Sequence, residues 1–312
     1  MAALHLALVS MIVDLSIRAQ LHTIRDYIRY GASLFKRRGL YFGHGTDNAW
    51  DEAVALVLHA VDMPAHSGQE VLDARLTDSE KQVVAEVFEL RCAHKPTPYI
   101  TNEAWFAGLR FFVDERVLIP RSPMAELIEK QFVPWLYEQP EHILDLCAGS
   151  GCIGIACALA FADAEVVLSD IATDALEVAE HNIREHGLIE RVRTIESDLF
   201  EDISGGFDLI ITNPPYVDAD DLATMPREFR SEPSLALASG LDGLDFTRRL
   251  LREASTFLNE NGCLCVEVGN SRRHLEIEFP QVPFNWVELE RGGHGVFVLY
   301  RDQLVECAEY FK

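Results

Sequence analysis

The sequence predicts an α/β chain in two parts, a smaller helical N-terminal part and a larger part built on a mainly parallel sheet. Three observations predict it. Short apolar runs alternate with helix-length segments from His142 onward, which is the pattern of βαβ units. Residues 1–96 instead carry apolar side chains at helical spacing. Two of the apolar runs then open into loops of unusual composition. His142–Leu146 leads into Cys147-Ala148-Gly149-Ser150-Gly151-Cys152-Ile153-Gly154, and Phe207–Thr212 leads into Asn213-Pro214-Pro215-Tyr216. In an open α/β sheet, the loops beyond the carboxyl ends of the strands form the ligand crevice.

Taken in order, Leu21, Ile24, Ile28 and Phe35 fall on one helix face. Thr46-Asp47-Asn48 can cap a helix beginning near Ala49, and Thr77-Asp78-Ser79-Glu80 reads as a capping box before Val83, Val84, Val87 and Phe88. Pro96 and Pro98 break the pattern. The period then switches over residues 99–119. Phe111-Phe112-Val113, a turn at Asp114-Glu115-Arg116, and Val117-Leu118-Ile119 predict a hairpin. Pro120-Arg121-Ser122-Pro123 ends it and starts a helix through Leu127 and Ile128. Strands are expected near 142–146, 165–169, 192–196, 207–212 and 262–268. Helices are expected near 152–161, 173–186 and 244–258. Trp286–Leu289 and Val296–Leu299, joined by the turn-rich Arg291-Gly292-Gly293-His294-Gly295, predict an antiparallel pair.

At 312 residues with 48% apolar content, the chain is long enough for two ordinary domains with a sizeable core. The first thirteen residues are mostly apolar, but no basic segment precedes them, and Asp14 and Arg18 follow soon. They read as a helix face rather than as a signal peptide or a membrane span. The seven cysteines are irregularly spaced without a Cys-x-x-Cys, which predicts reduced thiols, no metal site and a cytoplasmic location. Cys263 and Cys265 fall on one strand face as small apolar filler. Net charge is −23; residues 101–312 hold 17 basic and 38 acidic side chains, a net of −21. Such a surface disfavours DNA and suits a basic partner or plain solubility. Arg18, Arg25, Arg29, Lys36, Arg37 and Arg38 face only Asp26 as a counter-charge in sequence, so residues 18–38 are a candidate contact for RNA or equally a solvated helix face.

Gly149, Ser150 and Gly151 form a tight turn that leaves backbone open to a ligand. With Gly154 they complete Gly-x-Gly-x-x-Gly, which also fits a dinucleotide site. Two details favour S-adenosylmethionine. Asp145, at the strand end, would repel a pyrophosphate and attract an ammonium and a sulfonium. Hydride transfer also has no use for an Asn-Pro-Pro-Tyr loop. Cys147, Ala148, Gly149, Ser150 and Gly151 then border the cofactor. Asp170 after the second strand can accept the ribose hydroxyls. Asp198 after the third can accept the adenine amine, with Leu199 or Phe200 covering the ring. Each aspartate alone is equally a helix N-cap; their joint placement after successive strands favours a pocket.

A planar nitrogen is a poor nucleophile because its lone pair is delocalised. The Asn213 side-chain oxygen and the Pro214 carbonyl can hold its hydrogens away from an incoming methyl group and stabilise the charge that develops. Pro214 and Pro215 stiffen the loop and remove competing donors. Tyr216 can pack against the flat group. Asn213 therefore serves both cofactor and acceptor, and the acceptor is either a glutamine amide or a nucleobase amine.

Several further segments carry a resemblance. Glu232-Pro233-Ser234-Leu235-Ala236-Leu237-Ala238-Ser239-Gly240-Leu241-Asp242-Gly243 and Val117-Leu118-Ile119-Pro120-Arg121 are similar to the protein N5-glutamine methyltransferases. The continuation Arg121-Ser122-Pro123-Met124-Ala125-Glu126-Leu127-Ile128 resembles the branch acting on ribosomal protein uL3, not the Arg-Pro-Asp-Thr-Glu of release-factor enzymes. Residues 43–53 and 98–106 resemble that branch too. The resemblance covers nearly the whole chain beyond the first fifteen or so residues. It implies a helical substrate-recognition domain at 1–98, a β-hairpin linker at 99–123, and a class I seven-stranded Rossmann-like methyltransferase domain at 124–312. The implied reaction moves a methyl group from S-adenosylmethionine to a glutamine side-chain nitrogen of uL3. Cys147 departs from the glycine common in release-factor enzymes and tightens the pocket. Three alternatives share features: a release-factor enzyme, a nucleobase amine methyltransferase, whose basic groove the −21 argues against, and a non-enzymatic assembly factor for a basic protein.

Overall fold

A computed structural model describes residues 13–64 and 67–312, so the expectation for residues 1–12 lies outside the described part. The described chain divides into two compact units. The first holds residues through Asn102 together with Pro226–Ser231, and the second holds Glu103–Met225 and Glu232–Lys312.

The first unit is helical: α1 Leu15–Gln20, α2 Ile24–Arg38, α3 Ala49–Ala60, α4 Asp78–Cys92 and α5 Thr97–Thr101. Both α2 and α4 start with capping boxes, Thr23 with Asp26 and Thr77 with Glu80, and Asn48 caps α3 by accepting from the amides of Trp50 and Asp51. Asp26 is therefore spent on the amides of His22 and Thr23, and the counter-charge expected of it comes from Asp73, 2.9 Å from Arg25. Phe35 meets Phe88 edge-on at 5.2 Å in the core. Gly31 lies mid-helix because a Cβ there would stand 2.5 Å from the Phe88 ring. Beside this core, Arg91 is 1% exposed. Its guanidinium bonds Glu52, Glu228 at 3.3 Å and the Tyr41 carbonyl at 2.6 Å. Glu228 also accepts from the Tyr41 amide at 2.9 Å and meets His94 Nδ1 at 3.0 Å.

The second unit opens with a hairpin of β1 Ala104–Phe106 and β2 Leu109–Phe111, with Ala104 opposite Phe111. Its turn is Ala107-Gly108, both with positive φ (49° and 75°), which suits a tight two-residue hairpin. The expected strands at 111–113 and 117–119 are not there. The Asn182 side chain occupies both backbone groups of Phe112, accepting from its amide at 2.8 Å and donating to its carbonyl at 3.0 Å, and Asp114 turns back onto the Arg116 amide. Residues 112–119 are an irregular strap.

Past α6 Met124–Glu129, the sheet is built from β3 His142–Leu146, β4 Glu165–Asp170, β5 Val192–Glu196, β6 Phe207–Thr212, β7 Leu258–Glu267, β8 Asn285–Trp286 and β9 Val296–Tyr300. The order is β5-β4-β3-β6-β7-β9-β8, parallel except for β9, which runs antiparallel to both neighbours. The crossovers and tail add α7 Cys152–Ala160, α8 Thr173–Glu185, α9 Ala219–Thr224, α10 Asp245–Phe257, α11 Arg272–Glu278 and α12 Arg301–Glu306. Alternate strand residues fill two cores: Ile143, Leu209, Ile211, Cys263 and Cys265 lie on one face, and Leu144, Ile210, Leu264 and Val266 on the other. β7 begins four residues earlier than expected, with a register shift against β6 between Phe207 and Leu209. β8 is shorter than the expected 286–289, because the three-glycine turn follows closely and only Val287 continues the pairing, through its amide to Val296. All seven cysteines are free. Among the described residues no helix is long and apolar enough to cross a membrane.

Arg91→Ala strands two buried carboxylates and should cost roughly 3–5 kcal/mol in denaturant unfolding of the full chain. Burial pushes the Glu228 carboxyl up, but the Tyr41 amide, His94 and Arg91 more than offset this, so it lies below its ordinary 4.5. A depressed carboxyl stabilises above its unfolded value and loses that contribution as pH falls through the folded one. Unfolding curves taken downward from about pH 4.5 should therefore weaken more steeply for the native chain than for Glu228→Gln.

Candidate active site

The carboxyl ends of β3, β4 and β6 lie level, because Leu146 pairs with Ser169 on one side and Thr212 on the other. The Thr212 hydroxyl donates to the Leu146 carbonyl at 2.7 Å and ties the two loop-bearing strands together. Beyond Leu146 the backbone turns sharply, with positive φ at Cys147, Gly149 and Gly151. Asp170 fixes that turn: Oδ2 accepts from the Gly149 amide and Oδ1 from the Ala172 amide, each at 2.9 Å. Burial raises its carboxyl above the ordinary value, and these amides pull the other way.

Asp145 is 1% exposed and sits beneath the glycine turn, not at a cavity wall. Its Oδ2 accepts from the Gly154 amide at 2.8 Å, anchoring the first turn of α7, while Oδ1 is buried without a hydrogen-bond partner. Burial pushes this carboxyl up to about 8. Gly154 lets α7 approach β4, since a Cβ there would stand 2.1 Å from Leu168.

A cavity of about 340 Å³ opens over these strand ends. Of the residues singled out in the sequence, Cys147, Gly149, Asp170, Asp198, Leu199, Asn213 and Pro215 line it. Ala148, Ser150, Gly151, Phe200, Pro214 and Tyr216 do not. The Ala148 amide is bonded to the Ser169 carbonyl, the Ser150 carbonyl accepts from Asn182, and the Gly151 amide bonds Ala148. Phe200 stacks on Phe257 at 4.4 Å inside the core, which leaves Leu199 at the wall. Burial drives the Cys147 thiol far above its ordinary value, so it is no thiolate nucleophile.

Asn213 Oδ1 is buried with no hydrogen-bond partner in a residue that lines the cavity. Tyr216 behaves otherwise than the sequence suggests. Its hydroxyl donates to Glu267 Oε1 at 2.8 Å, its carbonyl accepts from Ser271 Oγ at 2.8 Å, and its ring lies over Gly269, where a Cβ would come within 2.6 Å. Burial and then the Glu267 charge raise its phenol.

Sequence reasoning missed Arg249 of α10, whose Nη1 lies 2.9 Å from Asp198 Oδ1 at the cavity wall. It also left Leu118, Leu235 and Phe246 out of the site, although all three line the cavity. The first two lie in segments already set apart by their resemblance, which was the available signal; a helix arginine gives none. His294 bonds Asn270 at 3.0 Å and takes no part in the cavity. Among the described residues no cluster of three or more His, Cys, Asp or Glu is placed to hold a metal ion.

Residues 129–237 match the family model described as methyltransferase small domain. Two relatives are each named ribosomal protein uL3 glutamine methyltransferase. The one from Francisella tularensis is 50% identical over 94% of both chains. The one from Neisseria gonorrhoeae is 48% identical over 92% of this chain and 97% of its own. A solved T. thermophilus 16S rRNA N2 G1207 methyltransferase, in complex with AdoMet and guanosine, is similar at a TM-score of 0.44 and 18% identity over 64% of this chain and 49% of its own. Identity near one half across almost the full length reaches into both units, and by it this chain belongs to the ribosomal protein uL3 glutamine methyltransferase family.

Proposed function

We propose that the protein transfers the methyl group of S-adenosylmethionine to the side-chain amide nitrogen of a glutamine in ribosomal protein uL3. The observation that carries this reading is Asn213 Oδ1, a buried acceptor without a donor in a residue that lines the cavity. A buried carbonyl left unpaired costs free energy, and an incoming amide N–H relieves that cost.

S-adenosylmethionine, when bound, supplies a methyl group made electrophilic by its sulfonium. The residues present fit it. Asp170 keeps lone pairs for the ribose hydroxyls after accepting its two amides, and Asp198 beside Arg249 is the acceptor for the adenine amine. Leu199 covers the ring, and the turn from Cys147 to Gly149 leaves room along the backbone. Asn213 Oδ1 accepts one of the two amide hydrogens and orients the nitrogen, and the Pro214 carbonyl, off the cavity wall in this structure, is the acceptor offered to the other. Both stabilise the positive charge that grows on that nitrogen. The methylated nitrogen then loses its proton readily to water, so no general base is needed beforehand. Tyr216 shapes the loop through Glu267 instead of stacking on the substrate.

The acidic excess of residues 101–312 suits a basic protein substrate. Residues 1–98 carry substrate recognition in this reading, and the exposed Arg29, Lys36, Arg37 and Arg38 of α2 are where ribosomal RNA or an assembly intermediate is met. The place of action is the cytoplasm.

Removing the acceptor by Asn213→Ala should lower methyl transfer about 100- to 1,000-fold while leaving cofactor affinity nearly unchanged. Asp170→Ala should instead weaken cofactor binding roughly 10- to 100-fold in calorimetry. Loss of cofactor binding in the Asn213 variant would overturn that division of roles. With radiolabelled cofactor, purified uL3 should acquire label on one glutamine, read by mass spectrometry of the labelled peptide. Label on a class I release factor alone would keep the chemistry and replace the substrate; label on protein-free nucleic acid alone would replace the reaction.

A further inference from the structure

We infer that Ser122 and Glu267 are positioning residues for methyl transfer, acting through Tyr216 on the Asn213 acceptor. The inference rests on the reading of Asn213 as the group that holds the substrate nitrogen.

Glu267 ends β7 and is 4% exposed. Its hydrogen-bond partners among the described residues are two hydroxyls: Ser122 Oγ donates to Oε2 at 2.6 Å, and Tyr216 donates to Oε1 at 2.8 Å. Ser122 Oγ in turn accepts from the Met124 amide at 3.1 Å, so its proton is directed at Glu267. A hydroxyl bonded to a carboxylate makes one of the stronger and more directional hydrogen bonds in a protein. Burial raises the Glu267 carboxyl, and the two hydroxyls offset part of that rise.

Tyr216 is held at three points: its hydroxyl by Glu267, its ring over Gly269, and its carbonyl by Ser271. The residues between it and Asn213 are two prolines, whose φ is fixed by their rings. With φ fixed, only ψ is free at Pro214 and Pro215, so less of a rotation of Tyr216 is absorbed there and more of it reaches Asn213. The residues just before Ser122 hold Glu232, further along the chain from Tyr216. Arg121 forms a two-point bond to Glu232, at 2.6 and 2.8 Å, and the Ile119 amide donates to Glu232 at 3.1 Å. Residues 119–122 thus grip the acceptor loop at Tyr216 through Glu267 and at Glu232 directly.

Misplacing a reacting group by about 1 Å can cost roughly 100-fold in rate. In the full chain, Tyr216→Phe and Glu267→Gln should each lower kcat for uL3 about 10- to 100-fold, with cofactor Kd within about twofold. Ser122→Ala should lower kcat by about tenfold and Ser122→Thr should restore it, because the threonine hydroxyl can reach the same carboxylate. The double variant Ser122→Ala/Tyr216→Phe should be no worse than its weaker parent, since both act through one carboxylate. A second measurement needs no substrate: the side-chain NH₂ resonances of Asn213 in the full chain should shift in Glu267→Gln while the Gly149 amide stays in place. Unchanged kcat with only a lowered Tm, or an unmoved Asn213 resonance, overturns the relay and leaves the proposed reaction standing. An inactive native chain overturns the reaction, and the Asn213 resonance then decides the relay alone.

Discussion

The register of β3 against both neighbours is the constraint on which the rest depends. Leu146 faces Ser169 and Thr212 at once, so three strands end together and their loops share one edge. A slip of one residue on either side would exchange the two faces of the slipped strand and carry Asp170 or Asn213 away from the cavity. The two cores hold the register from both sides, since alternate residues of every central strand are buried in opposite clusters. The Thr212 hydroxyl adds a local lock on the Leu146 carbonyl. The cavity is therefore a consequence of sheet pairing, and its loops carry little of the burden of placing themselves.

What the sequence made legible is what short-range chemistry decides. Apolar runs of strand length, helix caps and the position of aspartates after strand ends all follow from periods and local side-chain bonds. The failures fall where a distant residue decides. The hairpin moved because Asn182 claims the backbone of Phe112 and because Ala107-Gly108, an inconspicuous pair in sequence, adopts positive φ at both positions. Tyr216 turned away from the cavity because Glu267 and Gly269, more than fifty residues on, offer an acceptor and a vacancy for its ring. Arg249 meets Asp198 from a helix whose pattern marks only an amphipathic face. Glu228 belongs with Arg91 and His94 in the helical unit, although it lies far along the chain from both. Periodicity carries no information about such pairings.

Asp145 shows the same limit in a subtler form. Its position at the end of β3 was readable, and so was its nearness to the glycine turn. Its direction was not. The side chain enters the gap between β3 and α7, where the Gly154 amide takes one oxygen and burial holds the carboxyl near 8. A carboxyl raised that far is largely protonated near neutral pH, so Asp145 acts on the pocket from beneath the backbone through the shape of the turn and not through the charge expected of it.

In the proposed reaction, a neutral amide oxygen at position 213 suits the charges around it. Asp170 and Asp198 already line the cavity, with Asp145 beneath the turn, and Arg249 is the basic partner that the cavity gives Asp198. A third wall carboxylate would bind an amide N–H more strongly, but it would raise its neighbours further and bring a protonation equilibrium into the acceptor site. Asparagine supplies a lone pair with fixed direction and no titration. The adjacent prolines add no competing donor. What remains variable in such a loop is orientation, and orientation is what a buried carboxylate with two hydroxyl donors, Ser122 and Tyr216, is suited to fix.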